Sequence, residues 1–136
     1  MIEYHKAWIL KAENDLRTAG IVIRQDDPIT DTAIYHTQQC AEKALKGWLA
    51  FNRAEIEKTH NLVDLVAQCA VFDSDFESLS LDADALTPKA TEFRYPDADG
   101  IEDITQLFPE VEVVEEAITK AKRILDFVKA KIHANS

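Results

Sequence analysis

The chain has 136 residues, 46% of them hydrophobic, and 25 acidic against 15 basic side chains give it a net charge of −10. That length suits one domain spanning 1–136 with a sizeable core and excludes two, while the apolar content excludes a disordered chain. The acidic balance argues against a surface that tracks a nucleic-acid backbone, leaving a small basic pocket or a basic protein partner open.

From Glu3 to Arg24 the apolar residues recur at helical spacing, with Tyr4, Trp8, Ala12, Leu16, Ala19 and Ile23 on one face. Asp15 breaks the pattern by projecting into the apolar arc between Trp8 and Val22. A buried carboxylate needs a partner, so Asp15 belongs either to a structural ion pair or to a polar pocket. Asp26-Asp27-Pro28 ends this helix, and Thr30 or Asp31 is placed to cap the next.

The second helix, Thr32 to Asn52, carries an apolar arc of roughly 200° running through Ala33, Ile34, Cys40, Ala44, Leu45 and Trp48. Such a width implies burial on two sides, as a central bundle helix or against a partner subunit as well. Ala41, Ala44 and Gly47 allow close approach of another helix. Tyr35, His36, Gln39, Glu42, Lys43 and Lys46 share the remaining arc, where Glu42 and Lys46 are spaced for an ion pair. On composition alone that stripe reads equally well as solvated surface.

Thr59 or Asn61 caps a third helix whose inner face runs Leu62, Leu65, Val66, Cys69 and Ala70, with His60 at its start. Residues 73–116 then hold fourteen acidic side chains and only two basic ones, Lys89 and Arg94. Within them, Asp73 to Asp84 reads as a short helical turn and a loop. Thr87-Pro88 reads as the start of a short helix through "KATEFRY" that Pro96 ends, and "DADGIEDITQL" as an exposed loop. The last helix opens at Phe108-Pro109 and presents a seam of Val111, Val114, Ile118, Ala121, Leu125, Val128 and Ile132. No segment alternates at period two. The expected fold is all-α, an antiparallel up-and-down bundle of four long helices plus one shorter helix.

No apolar run approaches the ~18 residues of a membrane helix, and Met1-Ile2-Glu3 opens no secretory signal. Cys40 and Cys69 read as reduced core thiols, and four dispersed histidines form no metal-ligand pattern. The expectation is a cytoplasmic protein with no cofactor, no metal and no membrane contact. Phosphate loops, HExxH and serine elbows are missing from the sequence.

Three segments, in order, resemble the HEPN domain family (higher eukaryotes and prokaryotes nucleotide-binding). They are "AENDLRTAG", then "YHTQQCAEKALKGWL" followed by "THNLVDL", and "EFRYPD" before the last helix. The resemblance runs from about Glu3 to Ile132. It implies a five-helix bundle, often a homodimer, of a type usually encoded beside a minimal nucleotidyltransferase. Such pairs include toxin–antitoxin systems, and some members bind nucleotides.

With that resemblance in hand, Lys43, Lys46, His60, Arg94 and Tyr95 are the candidate nucleotide or phosphate contacts, supported by a polar network of Asp15, Gln39 and Glu42. Lys43 and Lys46 lie about one turn apart, Arg94 offers a planar fork for phosphate, and Tyr95 could stack on a base. The same residues could equally form a buried network that binds nothing.

Many members of the family are ribonucleases that use an Arg and a His four to six residues apart near the last helix. Here no histidine follows Arg94 at that distance, and Arg53 and His60 match only formally. The sequence therefore reads as a non-catalytic binding protein, with no catalytic residue assigned. A ribonuclease toxin and a purely structural interaction module with an acidic 73–116 face are the alternatives.

Overall fold

The computed structural model describes residues 3–87 and 103–136. Among them five α-helices run in the order α1 (Tyr4–Ile23), α2 (Thr30–Phe51), α3 (Leu62–Ala70), α4 (Ser80–Leu86) and α5 (Val111–Ala134). Two 3₁₀ turns, Ser74–Leu79 and Ile104–Leu107, complete the described structure, and no strand occurs in it. The helix expected from Pro88 to Tyr95 lies outside the described residues. No helix is long and apolar enough to cross a membrane, among the described residues.

α2 is the central helix. Thirteen of its 22 residues are buried, from Ala33 to Leu49, because α1, α3 and α5 all pack around it within one chain. The wide apolar arc thus needs no second subunit to cover it. α1 runs against α2, so that its early residues Trp8 and Ile9 meet Gly47 near the end of α2. A Cβ at Gly47 would stand 3.1 Å from Ile9 Cδ1, which shows why the smallest residue sits at this crossing. α5 starts beside the start of α2 and ends beside the start of α1, where Ile132 and His133 share a groove with His5 and Ile9.

Its expected seam faces inward: Val114, Ala121, Leu125 and Val128 are buried, and Ile118 and Ile132 pack at the margin. Trp48, Phe76 and Phe127 form an aromatic chain through the core, with ring centroids 4.9 and 5.0 Å apart. The Trp48 indole donates to the Cys69 carbonyl at 3.2 Å, which ties α2 to α3.

The helix starts only partly follow the expected capping. Asn61 caps α3, its Oδ1 accepting from the Asp64 amide at 3.1 Å, and Thr59 Oγ1 accepts from the Asn61 amide. α2 begins earlier than expected, with Ile29 at the N-cap and no capping side chain, so Thr30 and Asp31 fall inside its first turn. Pro28 precedes that start, and the Ala33 amide donates to the Ile29 carbonyl. Thr87 closes α4: its hydroxyl donates to the Ala83 carbonyl and accepts from the Leu62 amide.

The acidic stretch after α3 is more ordered than a loop. Phe76, Leu79, Ala83 and Leu86 turn inward, while Lys131 bonds Asp73 and Asp75, and Arg123 forks onto Asp82 at 2.8 and 2.9 Å. Lys131 draws the Asp73 carboxyl below its usual range through that hydrogen bond, and Asp73 in turn raises Lys131.

Candidate functional site

The polar stripe of α2 lies where α1 and the chain leading into α3 meet it. A break in the apolar pattern of α1 puts Asp15, 7% exposed, against this stripe. Its Oδ1 accepts from His36 Nδ1 at 2.7 Å and its Oδ2 from Lys43 Nζ at 2.7 Å. His36 and Lys43 are seven residues apart, two turns of one face, so a single carboxylate facing the gap between them reaches both.

The second cluster repeats this design. Glu42, 6% exposed, accepts from His60 Nδ1 at 2.8 Å on one oxygen and from Lys46 Nζ at 3.2 Å on the other. Each acid therefore divides its two oxygens between one lysine and one histidine. The i,i+4 pair expected from spacing is present, yet both side chains are more than nine-tenths buried, which moves it out of the weak surface class. Lys46 Nζ also stands 5.8 Å from the centre of the Trp8 ring.

Exposure separates the members. The His60 side chain is 80% exposed although its Nδ1 is held by a buried acid. Because a carboxylate oxygen accepts, the facing nitrogen carries the hydrogen, and a neutral ring leaves Nε2 as the acceptor. Lys43 and His36 are about a quarter exposed. Gln39 is partly exposed on the same stripe, whereas Gln38 is buried and its amide has no partner among the described residues.

Of the residues singled out from sequence, Asp15, Glu42, Lys43, Lys46 and His60 come together in these two clusters, with Gln39 on the same helix face. Arg94 and Tyr95 lie outside the described residues. Sequence reasoning did not select His36, Gln38 or Trp8. His36 was legible as polar but not as the second donor to Asp15, Gln38 sits at the edge of the apolar arc, and Trp8 was assigned to the core face alone. The two thiols stand apart from the clusters: burial pushes Cys40 and Cys69 up to about 12, Asp15 adding to the effect at Cys40.

The all-helical bundle with this stripe on its central helix defines the class: the chain belongs to the HEPN domain family, whose sequence model matches residues 5–131. Two solved structures share the fold, each 30% identical to this chain. One is ST0689, described as an archaeal HEPN homologue, with a TM-score of 0.74 over 97% of this chain and 99% of that one. The other is TT1696 from Thermus thermophilus, with a TM-score of 0.81 over 96% and 99%. A Methanocaldococcus jannaschii protein named "Putative toxin MJ1304" is 39% identical over 51 residues, which is 38% of this chain and 32% of that protein. The matched stretch thus spans about a third of that relative.

Proposed function

We propose that this chain is a non-catalytic HEPN-type protein that binds a nucleotide and a nucleotidyltransferase-type protein, as one half of a toxin–antitoxin-like pair. The observation that carries the nucleotide reading is the pairing of Lys43 and Lys46 with buried carboxylates on one helix face. Phosphate oxygens are acceptors of the same kind as a carboxylate, so an incoming phosphate can take over Lys43, about a quarter exposed, and reaches the nine-tenths-buried Lys46 only by displacing Glu42. Asp15 and Glu42 hold those donors in place without the ligand. Arg94 would add a bidentate fork and Tyr95 a stacking surface, as their side-chain chemistry permits.

The partner reading draws on a groove of about 420 Å³ between the starts of α2 and α5. Ile29 and Phe108, 60% and 52% exposed, stand in it beside Asp27, Asp31 and Glu110. An exposed apolar pair ringed by acids suits a partner segment with an apolar anchor and basic flanks. The likeness to a Methanocaldococcus jannaschii protein named as a toxin supports a toxin-related context for this chain. A catalytic alternative is favoured by one observation, the exposed His60 oriented by Glu42, the arrangement that a general base needs.

A thermal-shift screen with nucleoside triphosphates tests the main reading. At a hundredfold excess over Kd the added stability is ~2.7 kcal/mol. The shift is expected in the native chain and absent in a Lys43→Met/Lys46→Met variant. Triphosphates that leave the melting temperature unchanged, or a shift that survives in the variant, would refute the stripe as the site. Ribosomal or messenger RNA cleaved by the native chain and not by His60→Gln would favour the catalytic alternative.

A further inference from the structure

Glu42 divides its carboxylate between two unlike partners. Its Oε2 accepts from Lys46 Nζ at 3.2 Å, and the Lys46 side chain is 9% exposed. Its Oε1 accepts from His60 Nδ1 at 2.8 Å, and the His60 side chain is 80% exposed. Lys46 sits one turn further along α2, whereas His60 belongs to the chain entering α3, directly before the N-cap Asn61. One buried carboxylate therefore fixes both a buried ammonium and the direction of an exposed imidazole.

A phosphate that reaches Lys46 competes with Glu42 for the same ammonium. So little of Lys46 is open that its remaining protons offer no separate approach, and two anions at contact distance repel about four times as strongly near a protein surface as in bulk water. The ammonium keeps a second hold, the Trp8 ring 5.8 Å from Nζ, so it is the carboxylate that yields. The two oxygens belong to one planar group. Turning Oε2 away from Lys46 either breaks the bond from His60 to Oε1 or drags the ring along, and in both cases His60 leaves the orientation it has here.

We infer that a phosphate on Lys46 and a Glu42-anchored His60 exclude one another, so that a bound triphosphate switches off the oriented imidazole. The anchored ring, with Nε2 open to solvent, belongs to the empty protein. Linkage makes the effect reciprocal: the factor by which the ligand loosens His60 is the factor by which anchored His60 weakens the ligand. The inference rests on the nucleotide reading above and names its regulatory consequence, that occupancy of the stripe disarms the one histidine poised for proton transfer.

ATP and inorganic tripolyphosphate, the second carrying the phosphates without a base, test it on the native chain and on His60→Ala. Calorimetry gives the affinities, and ¹⁵N spectra of the histidine rings give the tautomer of His60. In the empty native chain His60 is expected as the Nδ1–H tautomer, and at saturation as the mixture of a free, solvated ring. His60→Ala should bind both ligands about 2- to 10-fold tighter, the worth of one exposed hydrogen bond to Glu42. A ligand that saturates the native chain and leaves the His60 tautomer unchanged, or binds His60→Ala no tighter than native, overturns the switch and leaves the phosphate site standing. Failure of both ligands to bind the native chain overturns the switch and the nucleotide reading together. The tautomer measurement decides on the native chain alone, whatever the stability of the variant.

Discussion

Replacing Glu42 with alanine removes the acceptor for Lys46 and His60 at once. The two losses differ in size. His60 is 80% exposed and passes to water at little cost, whereas the Lys46 side chain is 9% exposed and becomes an uncompensated buried ammonium. Breaking a buried pair from one side costs ~3–5 kcal/mol, and the Trp8 ring beside Lys46 recovers at most ~1–2 kcal/mol of that. A net loss of ~1–4 kcal/mol is expected, which at this length lowers the melting temperature by roughly 3–16 °C. The double variant Glu42→Ala/Lys46→Met should regain most of it, because a buried pair exchanged for apolar side chains is close to neutral. Thermal and urea unfolding of the native chain, both single variants and the double variant form the cycle that measures the coupling. A Glu42→Ala chain within ~0.5 kcal/mol of native, or a double variant with purely additive losses, would refute the claim that this pair is buried and interdependent.

The other expectations follow the same geometry. Asp15→Asn keeps the shape but weakens the hold on Lys43 and His36, both about a quarter exposed, so it should cost ~1–2 kcal/mol of stability while strengthening triphosphate binding; equal or weaker binding by calorimetry contradicts the competition between acid and phosphate. Gly47→Val should destabilise by ~1–3 kcal/mol in urea unfolding, because the added methyls drive into Ile9 and Trp8, whereas a neutral effect would mean that α1 gives way. Cys40 and Cys69 should resist a disulfide reagent until the chain unfolds. Since folding raises their pKa from 9.0 to about 12, their contribution to stability is complete below pH 9 and is lost as the pH climbs from 9 toward 12, which an alkaline unfolding series checks. Folding lowers the pKa of Asp73, so its contribution holds above the ordinary value of 3.8 and is lost as the pH falls below it; Lys131→Met should flatten that acid limb.

Much of the fold was legible because the apolar spacing speaks directly to helix faces. The seam of the last helix, the width of the α2 arc and the intrusion of Asp15 each correspond to a burial pattern that the structure bears out. Partnerships were less legible. That Asp15 meets His36 as well as Lys43 depends on the register between two packed helices, which no single-helix periodicity encodes. Gln38 was hidden for a related reason: its position borders both faces, and only the packed neighbours decide that it is closed off. The order in the acidic stretch was hidden by distance along the chain. Arg123 and Lys131, whose charges fasten Asp82 and Asp75, lie 41 and 56 residues away from them. Composition alone presented those acids as an unpaired face.

The most direct measurement is an NMR titration of a nucleoside triphosphate into the chain with ¹⁵N-labelled histidines. His36 and His60 sit in the two carboxylate clusters, whereas His5 and His133 line a groove between α1 and α5. If the stripe is the binding site, the ring signals of His36 and His60 move together and saturate at one Kd, while those of His5 and His133 stay in place. Signals that all stay in place, or a response confined to His5 and His133, would contradict it.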